Sequence, residues 1–172
     1  KALVALTAAA AAAGVAIAKL MVDSGKFADD LITLSNKTGI SVTQLQELEY
    51  AARFVDVSVE TMTSSMNKLT RTMGMAQQAT QSGKINDQSK AYQRLGVEIL
   101  NVDGTLRNNK VVFYETIDAL GKMTNETERD ALAMQLFGKS ATELNPMIKA
   151  GSVELQRLAQ EAHAVGAVAG FD

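Results

Sequence analysis

Apolar residues recur at steps of three and four positions along much of the chain, the spacing that places side chains on one face of an α-helix. The clearest run consists of Val42, Leu45, Leu48, Ala52 and Val55. Ser41 and Gln44 form a capping-box pattern at the start of this run, so we predict a helix that begins there. An earlier helix is expected to continue through residues 29–36 and to end before Gly39, because glycine readily adopts the left-handed conformation that ends helices.

A second apolar run follows the predicted helix start at Ser58. We call it the methionine seam, and its members alternate spacings of three and four: Val59, Met62, Met66, Leu69 and Met73. The seam is two heptads long, which suits one neighbouring helix but is short for an autonomous coiled coil. Methionines in such a run can form an adaptable binding groove for a partner helix or a second copy, or they can fill an ordinary core. We favour core filling and keep the five residues as a candidate self-association or partner-helix site.

The rest of the chain alternates predicted helix starts and stops. After a break at residues 83–87, we predict helices over residues 88–95, 110–123 and 130–137, a short helix from Ser140 to about residue 151 that includes Pro146, and a last helix from Ser152. The predicted caps are Asn109, Asn125 with Glu128, and Ser140 with Glu143. The predicted stops are Gly96, Gly138 and Gly151.

These patterns predict an all-α fold, in which a long Ala-rich N-terminal helix precedes about six shorter helices separated by Gly and Ser breaks. The β-favouring residues of 97–106 and the Asp103-Gly104 turn allow one small hairpin. We divide the chain into an Ala-rich hydrophobic helix at 1–38, a helical module at 39–166 and a flexible end at 167–172. Because the sequence starts at Lys1 and not at Met, we expect it to be a segment of a longer chain.

The amino end, residues 2–22, is apolar and includes six consecutive alanines. Alanine has the highest helix propensity and its small side chain lets helices approach closely, so we predict that this helix packs against copies of itself. A membrane-spanning helix is an alternative, since a span needs about 20 apolar residues, but the alanine content and Lys19 weaken insertion. A signal peptide is less favoured, because the run is long and continues into further helix-forming sequence.

Composition narrows the class of protein. Hydrophobic residues make up 47% of the chain, but aromatic residues make up only 5%. The chain has only one proline, so almost nothing interrupts helix formation. The core must therefore be built mainly from Ala, Leu, Val and Met. The formal net charge is −2 with no basic block, so the sequence predicts no specific nucleic-acid binding. The absence of cysteine excludes disulfides and thiolate metal sites.

No motif indicates catalysis or a cofactor. A calcium loop around Gly104 would place Ile99 and Lys110 where carboxylates are required, which argues against calcium. His163 is the only histidine, so a two-histidine metal site is excluded. The carboxylate pairs Asp29/Asp30, Glu47/Glu49 and Glu126/Glu128 have the residue types of acid–base catalysis, but solvated helix faces explain them more simply. We therefore predict a protein that is not an enzyme.

Several stretches, taken in order, resemble phage and prophage tail tape-measure proteins. The matching stretches are Asp30-Leu31, residues 34–41, Leu45 to Leu48, Tyr50 to Ala52, residues 93–97, Asp103 to Leu106, Arg129 to Ala131, residues 136–139, residues 144–151, and Glu161-Ala162 with Gly166. The resemblance extends from about residue 8 to residue 166, and it lies in the shared order and spacing more than in any one stretch.

The resemblance implies a structural component of the virion that lies in the tail lumen, helps to set tail length, and leaves the lumen during DNA ejection. It also implies assembly in the host cytoplasm. The implied partners are further copies of the chain, the tail-tube protein, tail assembly chaperones and distal tail-tip proteins. No catalytic residue is carried over from the family.

Two other functions remain open at this point. The apolar amino end and the amphipathic helices suit a membrane-active module that helps DNA to cross the host envelope, with membrane contact during ejection. The methionine seam suits a helical adaptor that binds a partner helix.

Overall fold

The computed structural model describes residues 26–168, with side chains from residue 29 onward. This part contains seven α-helices and one short 3-10 helix: α1 (Lys26–Thr38), α2 (Val42–Phe54), α3 (Val59–Gln81), α4 (Asp87–Leu95), α5 (Asn109–Gly121), α6 (Glu126–Phe137), the 3-10 helix (Ala141–Leu144) and α7 (Asn145–Ala164). No β-strand occurs among residues 26–168, so the predicted all-α class is confirmed. The predicted Ala-rich helix of residues 2–22 and most of the predicted end segment 167–172 lie outside the described residues.

Local capping interactions fix most helix starts where the sequence predicts them. Ser41 and Gln44 form the predicted capping box at α2, and the hydroxyl of Ser58 accepts the Thr61 amide at α3. Asn86 begins α4 through a box with Ser89, close to the predicted start. Because each of these bonds spans only three residues, both of its partners can be recognised in the local sequence.

The predicted cap of α5 was wrong by one residue. Asn108 is the N-cap, and its side-chain oxygen accepts the amides of Lys110 and Val111. The side chain of Asn109 instead donates to the carbonyl of Thr38 and to the hydroxyl of Thr70. Two adjacent asparagines are equally good local caps, and the contact of Asn109 with α1 and α3 decides between them.

The predicted capping box of Ser140 with Glu143 was also wrong. Ser140 makes no side-chain capping bond, and the carboxylate of Glu143 accepts the hydroxyl of Thr61 at 2.6 Å. Within α7, Gly151 has φ 78° and ψ 165°, which are not helical values, so α7 consists of two helical segments joined by a kink. The predicted stop near Gly151 and the predicted new start at Ser152 are therefore confirmed.

The connection between α4 and α5 contains less β structure than a hairpin. A single antiparallel bridge joins Leu100 to Leu106. Within it, the carboxylate of Asp103 accepts both the amide and the hydroxyl of Thr105, at 3.0 and 2.6 Å. The predicted turn is therefore present, and one bridge is all the pairing that it supports.

The core lies along α3, which packs against α1, α2, α4, α5 and α6, while α7 packs against α2 and α5. Leucine, methionine and alanine dominate this core, as the composition predicts. Its aromatic members are Tyr50, Tyr92, Tyr114, Phe113 and Phe137. Phe113 and Phe137 meet edge to face, with ring centroids 6.0 Å apart, and join α5 to α6.

Candidate functional site

The methionine seam lies in the interior of the helical module. Met62, Met66, Leu69 and Met73 have no exposed surface, and Val59 is half-buried. The helices that cover the seam belong to the same chain, because α3 is the central element of the core. Core packing therefore describes these four side chains, which offer no surface to a second chain in this fold.

A polar contact joins α2 to α7 near the only histidine. The imidazole Nε2 of His163 lies 2.6 Å from a carboxylate oxygen of Glu47, and the ammonium of Lys110 lies 3.9 Å from the other oxygen. One carboxylate thus connects α2, α5 and α7. The hydroxyl of Tyr114, which lines the same cleft of about 450 Å³, is buried without a hydrogen-bond partner.

A second polar contact between α2 and α7 is buried. The hydroxyl of Tyr50 donates to Glu161 at 2.8 Å, and Arg157 holds the other oxygen of that carboxylate at 3.0 Å. Burial and the bonded carboxylate raise the pKa of Tyr50, so its proton is retained. Arg157 also pairs with Glu154 at 2.6 Å. The contact therefore orients two packed helices.

Among the described residues, Glu49 is a buried ionisable group: its side chain is 2% exposed, and its Oε2 atom has no hydrogen-bond partner. It lines a cleft of about 560 Å³ between α1, α2 and α3. Burial raises the pKa of Glu49 to about 8, Arg53 opposes this change, and Glu60 and Asp30 add to it. The assignment of Glu49 to a solvated helix face was wrong: Glu49 follows Leu45 by four positions and so lies on the apolar face of α2.

A third cleft, about 650 Å³, lies between α4, α5 and α6, and half of its lining residues are charged. Arg94 pairs with Glu128 at 2.6 Å, and Arg107 pairs with Glu115 at 2.7 Å. Because these opposite charges already neutralise each other, the cleft presents no strong field of one sign.

The predicted carboxylate pairs do not act as pairs. Glu47 and Glu49 face two different clefts, and Glu128 is bonded to Arg94. Within residues 26–168, no cluster of three His, Asp or Glu side chains is arranged to bind a metal ion. Over the same range, no helix combines the length and the apolar character needed to cross a membrane.

Comparison of the chain with protein-family models, curated proteins and solved structures gave no match. The fold therefore defines only the class, an all-α module with a core of aliphatic side chains and with polar contacts between helices. What distinguishes the module is where its polar side chains lie: at helix ends, at contacts between helices, and at the buried carboxyl of Glu49.

Proposed function

We propose that this chain is a segment of a phage tail tape-measure protein and acts as a structural element in the tail lumen. The observation that carries the proposal is the order and spacing of the resembling stretches from about residue 8 to residue 166. Under this proposal the chain has no catalytic role, and its partners are copies of itself, the tail-tube protein, tail assembly chaperones and distal tail-tip proteins.

The position of the resembling stretches in the fold is consistent with this proposal. One stretch contains the link between α1 and α2, where the hydroxyl of Thr38 bonds to Leu34 and to Ile40 around Gly39. Two others contain Gly96 and Gly138, the caps of α4 and α6. Helix ends determine where the chain turns, so a shared order of such stretches favours a shared arrangement of helices.

A protein that sets tail length works best as an extended chain. A helix contributes about 1.5 Å of length per residue, whereas a folded module contributes only its own diameter. The segment therefore has two states under this proposal: a folded module, and an open chain of short helices in the tail. Five of the seven described α-helices have only 9 to 13 residues, and together with the low aromatic content this favours such opening. If the isolated segment strongly resisted protease and denaturant, this two-state description would be wrong.

A deletion in the longer chain that carries this segment tests the proposal. Removal of residues 39–166 should shorten the tail, measured by electron microscopy, by up to about 1.5 Å per deleted residue. The matched control replaces the same residues with an unrelated helical sequence of equal length and should restore the tail length. Tails of unchanged length after the deletion would exclude this segment from the measuring part of the protein.

A further inference from the structure

Helix α1 is attached to the rest of the module by a small apolar contact. Leu31 and Leu34 are 1% and 3% exposed, and α1 packs mainly on α2 and α3. The carbonyl of Thr38 at its end accepts the side-chain amide of Asn109. Among residues 29–38 the buried side chains are Leu31, Leu34 and Thr38, and a helix held by so few described side chains is an element that can open separately from the others.

The buried carboxyl of Glu49 lies directly beneath this contact. The cleft beside it, about 560 Å³, is bounded by Asp30, Leu31 and Leu34 of α1 on one side and by Glu49 of α2 on the other. Oε2 of Glu49 is inaccessible and has no hydrogen-bond partner, although the cleft has room for water. Neutral Glu49 can occupy this position, but an ionised carboxylate with one buried oxygen that lacks a partner is costly there.

Four charged side chains face Glu49 from the helices packed around it. Asp30 and Lys37 come from α1, Arg53 from α2 and Glu60 from α3. Asp30, Lys37 and Glu60 are exposed, so water and salt screen their effects. Arg53 favours ionisation of Glu49, although the Nε atom of Arg53 is itself buried without a hydrogen-bond partner.

We propose that protonation of Glu49 controls the docking of α1. With Glu49 protonated, α1 is closed on α2 and α3; when Glu49 releases its proton to solvent, α1 moves away and water reaches the carboxylate. The remainder of the module, α2 to α7, stays folded, because opening α1 breaks fewer buried contacts than unfolding the core. The closed state loses stability relative to the open state as the pH rises from about 4.5 to about 8, so the open population grows through that range. The inference concerns the chain's own fold and does not depend on the proposed function.

The test is a distance measurement between spin labels by pulsed electron resonance, at about pH 6 and about pH 9, on either side of the pKa. The chain has no cysteine, so two introduced cysteines carry the only labels. Ile32→Cys on α1 and Met134→Cys on α6 suit this purpose, because the two side chains are 44% and 49% exposed. We expect one narrow distance at the lower pH, and at the higher pH a second, broader population at least tenfold larger than before.

Two controls make the result specific. Labels at Val111 on α5 and at Met134 should keep one narrow distance at both pH values, which shows that only α1 has moved. In the Glu49→Gln variant, the labels at Ile32 and Met134 should also keep one distance, because glutamine cannot ionise. Glu60→Gln, which removes an exposed acid nearby, should still open at high pH.

Three outcomes would overturn the proposal. An unchanged distance at high pH in the natural sequence would mean that Arg53 neutralises Glu49 without movement of α1, and this result needs no variant. Equal broadening at Val111 and Met134 would indicate unfolding of the whole module. If α1 still opened at high pH in the Glu49→Gln variant, another ionisable group would be responsible for the opening.

Discussion

Asp118 of α5 accepts two hydrogen bonds from Ser152 of α7, one from the backbone amide at 2.8 Å and one from the hydroxyl. The contact lies directly after Gly151, where α7 is interrupted. A helix that resumes at such a point has backbone amides without partners inside the helix, and Asp118 satisfies one of them. One side chain therefore caps a helix turn and joins two helices, although it lies 34 residues away.

Replacement of this cap should weaken the fold measurably. We expect Asp118→Ala to lower the free energy of unfolding by about 1–2 kcal/mol, because the Ser152 amide loses its partner. Asp118→Asn should retain part of the stabilisation that Asp118 provides, since an amide oxygen still accepts a hydrogen bond. Urea denaturation followed by circular dichroism measures both. The control is Asp130→Ala, whose partner is the adjacent Arg129 and whose effect should stay within about 0.5 kcal/mol. Equal losses at the two sites would contradict a capping role.

Two glycines should respond to alanine in opposite directions. Gly74 lies inside α3 in a helical conformation with open space where a Cβ would be, so Gly74→Ala should stabilise the protein by about 1 kcal/mol. Gly151 has a φ of 78°, which side chains rarely tolerate, so Gly151→Ala should destabilise it by about 1–3 kcal/mol. Thermal and urea denaturation of both variants check this pair. A stabilised Gly151→Ala variant would show that the kink in α7 is not required.

The methionine seam should respond to mutation as a core. Met66 is fully buried, so Met66→Ala should lower the free energy of unfolding by about 2–5 kcal/mol. Met75 lies on the same helix but is 39% exposed, and Met75→Ala should cost much less. Light scattering on both variants adds a second readout. If Met66→Ala changed the oligomeric state and left the stability unchanged, the result would support the hypothesis that the methionine seam is a self-association site.

Stability should depend on pH through Glu49. Its pKa rises from 4.5 to about 8 on folding, so the folded chain holds this proton more tightly than the unfolded chain does. The contribution of Glu49 is fully present below about pH 4.5 and is lost as the pH rises to about 8, at up to about 1.4 kcal/mol per pH unit.

The Glu49→Gln variant isolates this contribution from those of the other carboxylates. We expect its stability relative to the natural sequence to increase through that pH window and to level off above it. Urea denaturation at a series of pH values gives the difference in the free energy of unfolding between the variant and the natural sequence. Glu60→Gln, which removes an exposed acid, is the control. If the two stability curves ran parallel, Glu49 would already be ionised in the folded chain.

Helix starts were the most predictable part of the fold. Ser41 and Ser58 cap their helices through bonds to residues three positions away, and the sequence shows both partners. The same reasoning could not choose between Asn108 and Asn109, because either asparagine can cap a helix. It also paired Glu143 with Ser140, whereas Glu143 bonds to Thr61 on α3.

The candidate sites were less predictable, because they depend on which helices meet. The spacing of the methionine seam showed one apolar face, but not whether another chain or the same chain would cover it. Glu47 and His163 are 116 residues apart, and no local pattern connects them. Glu49 did leave a signal, a charge on the apolar face of α2, but its isolation depends on α1 and α3.

Local sequence pattern was thus enough to predict the helical class, most of the helix starts and the aliphatic character of the core. The hydrogen bonds that set these features span three or four residues, and helical periodicity expresses burial directly. The packing of the helices determines which polar groups form a contact, as Asp118 does with Ser152, and which atoms are buried without a partner, as Oε2 of Glu49 is. Such contacts join residues that are distant along the chain, and chain topology, not local pattern, brings them together.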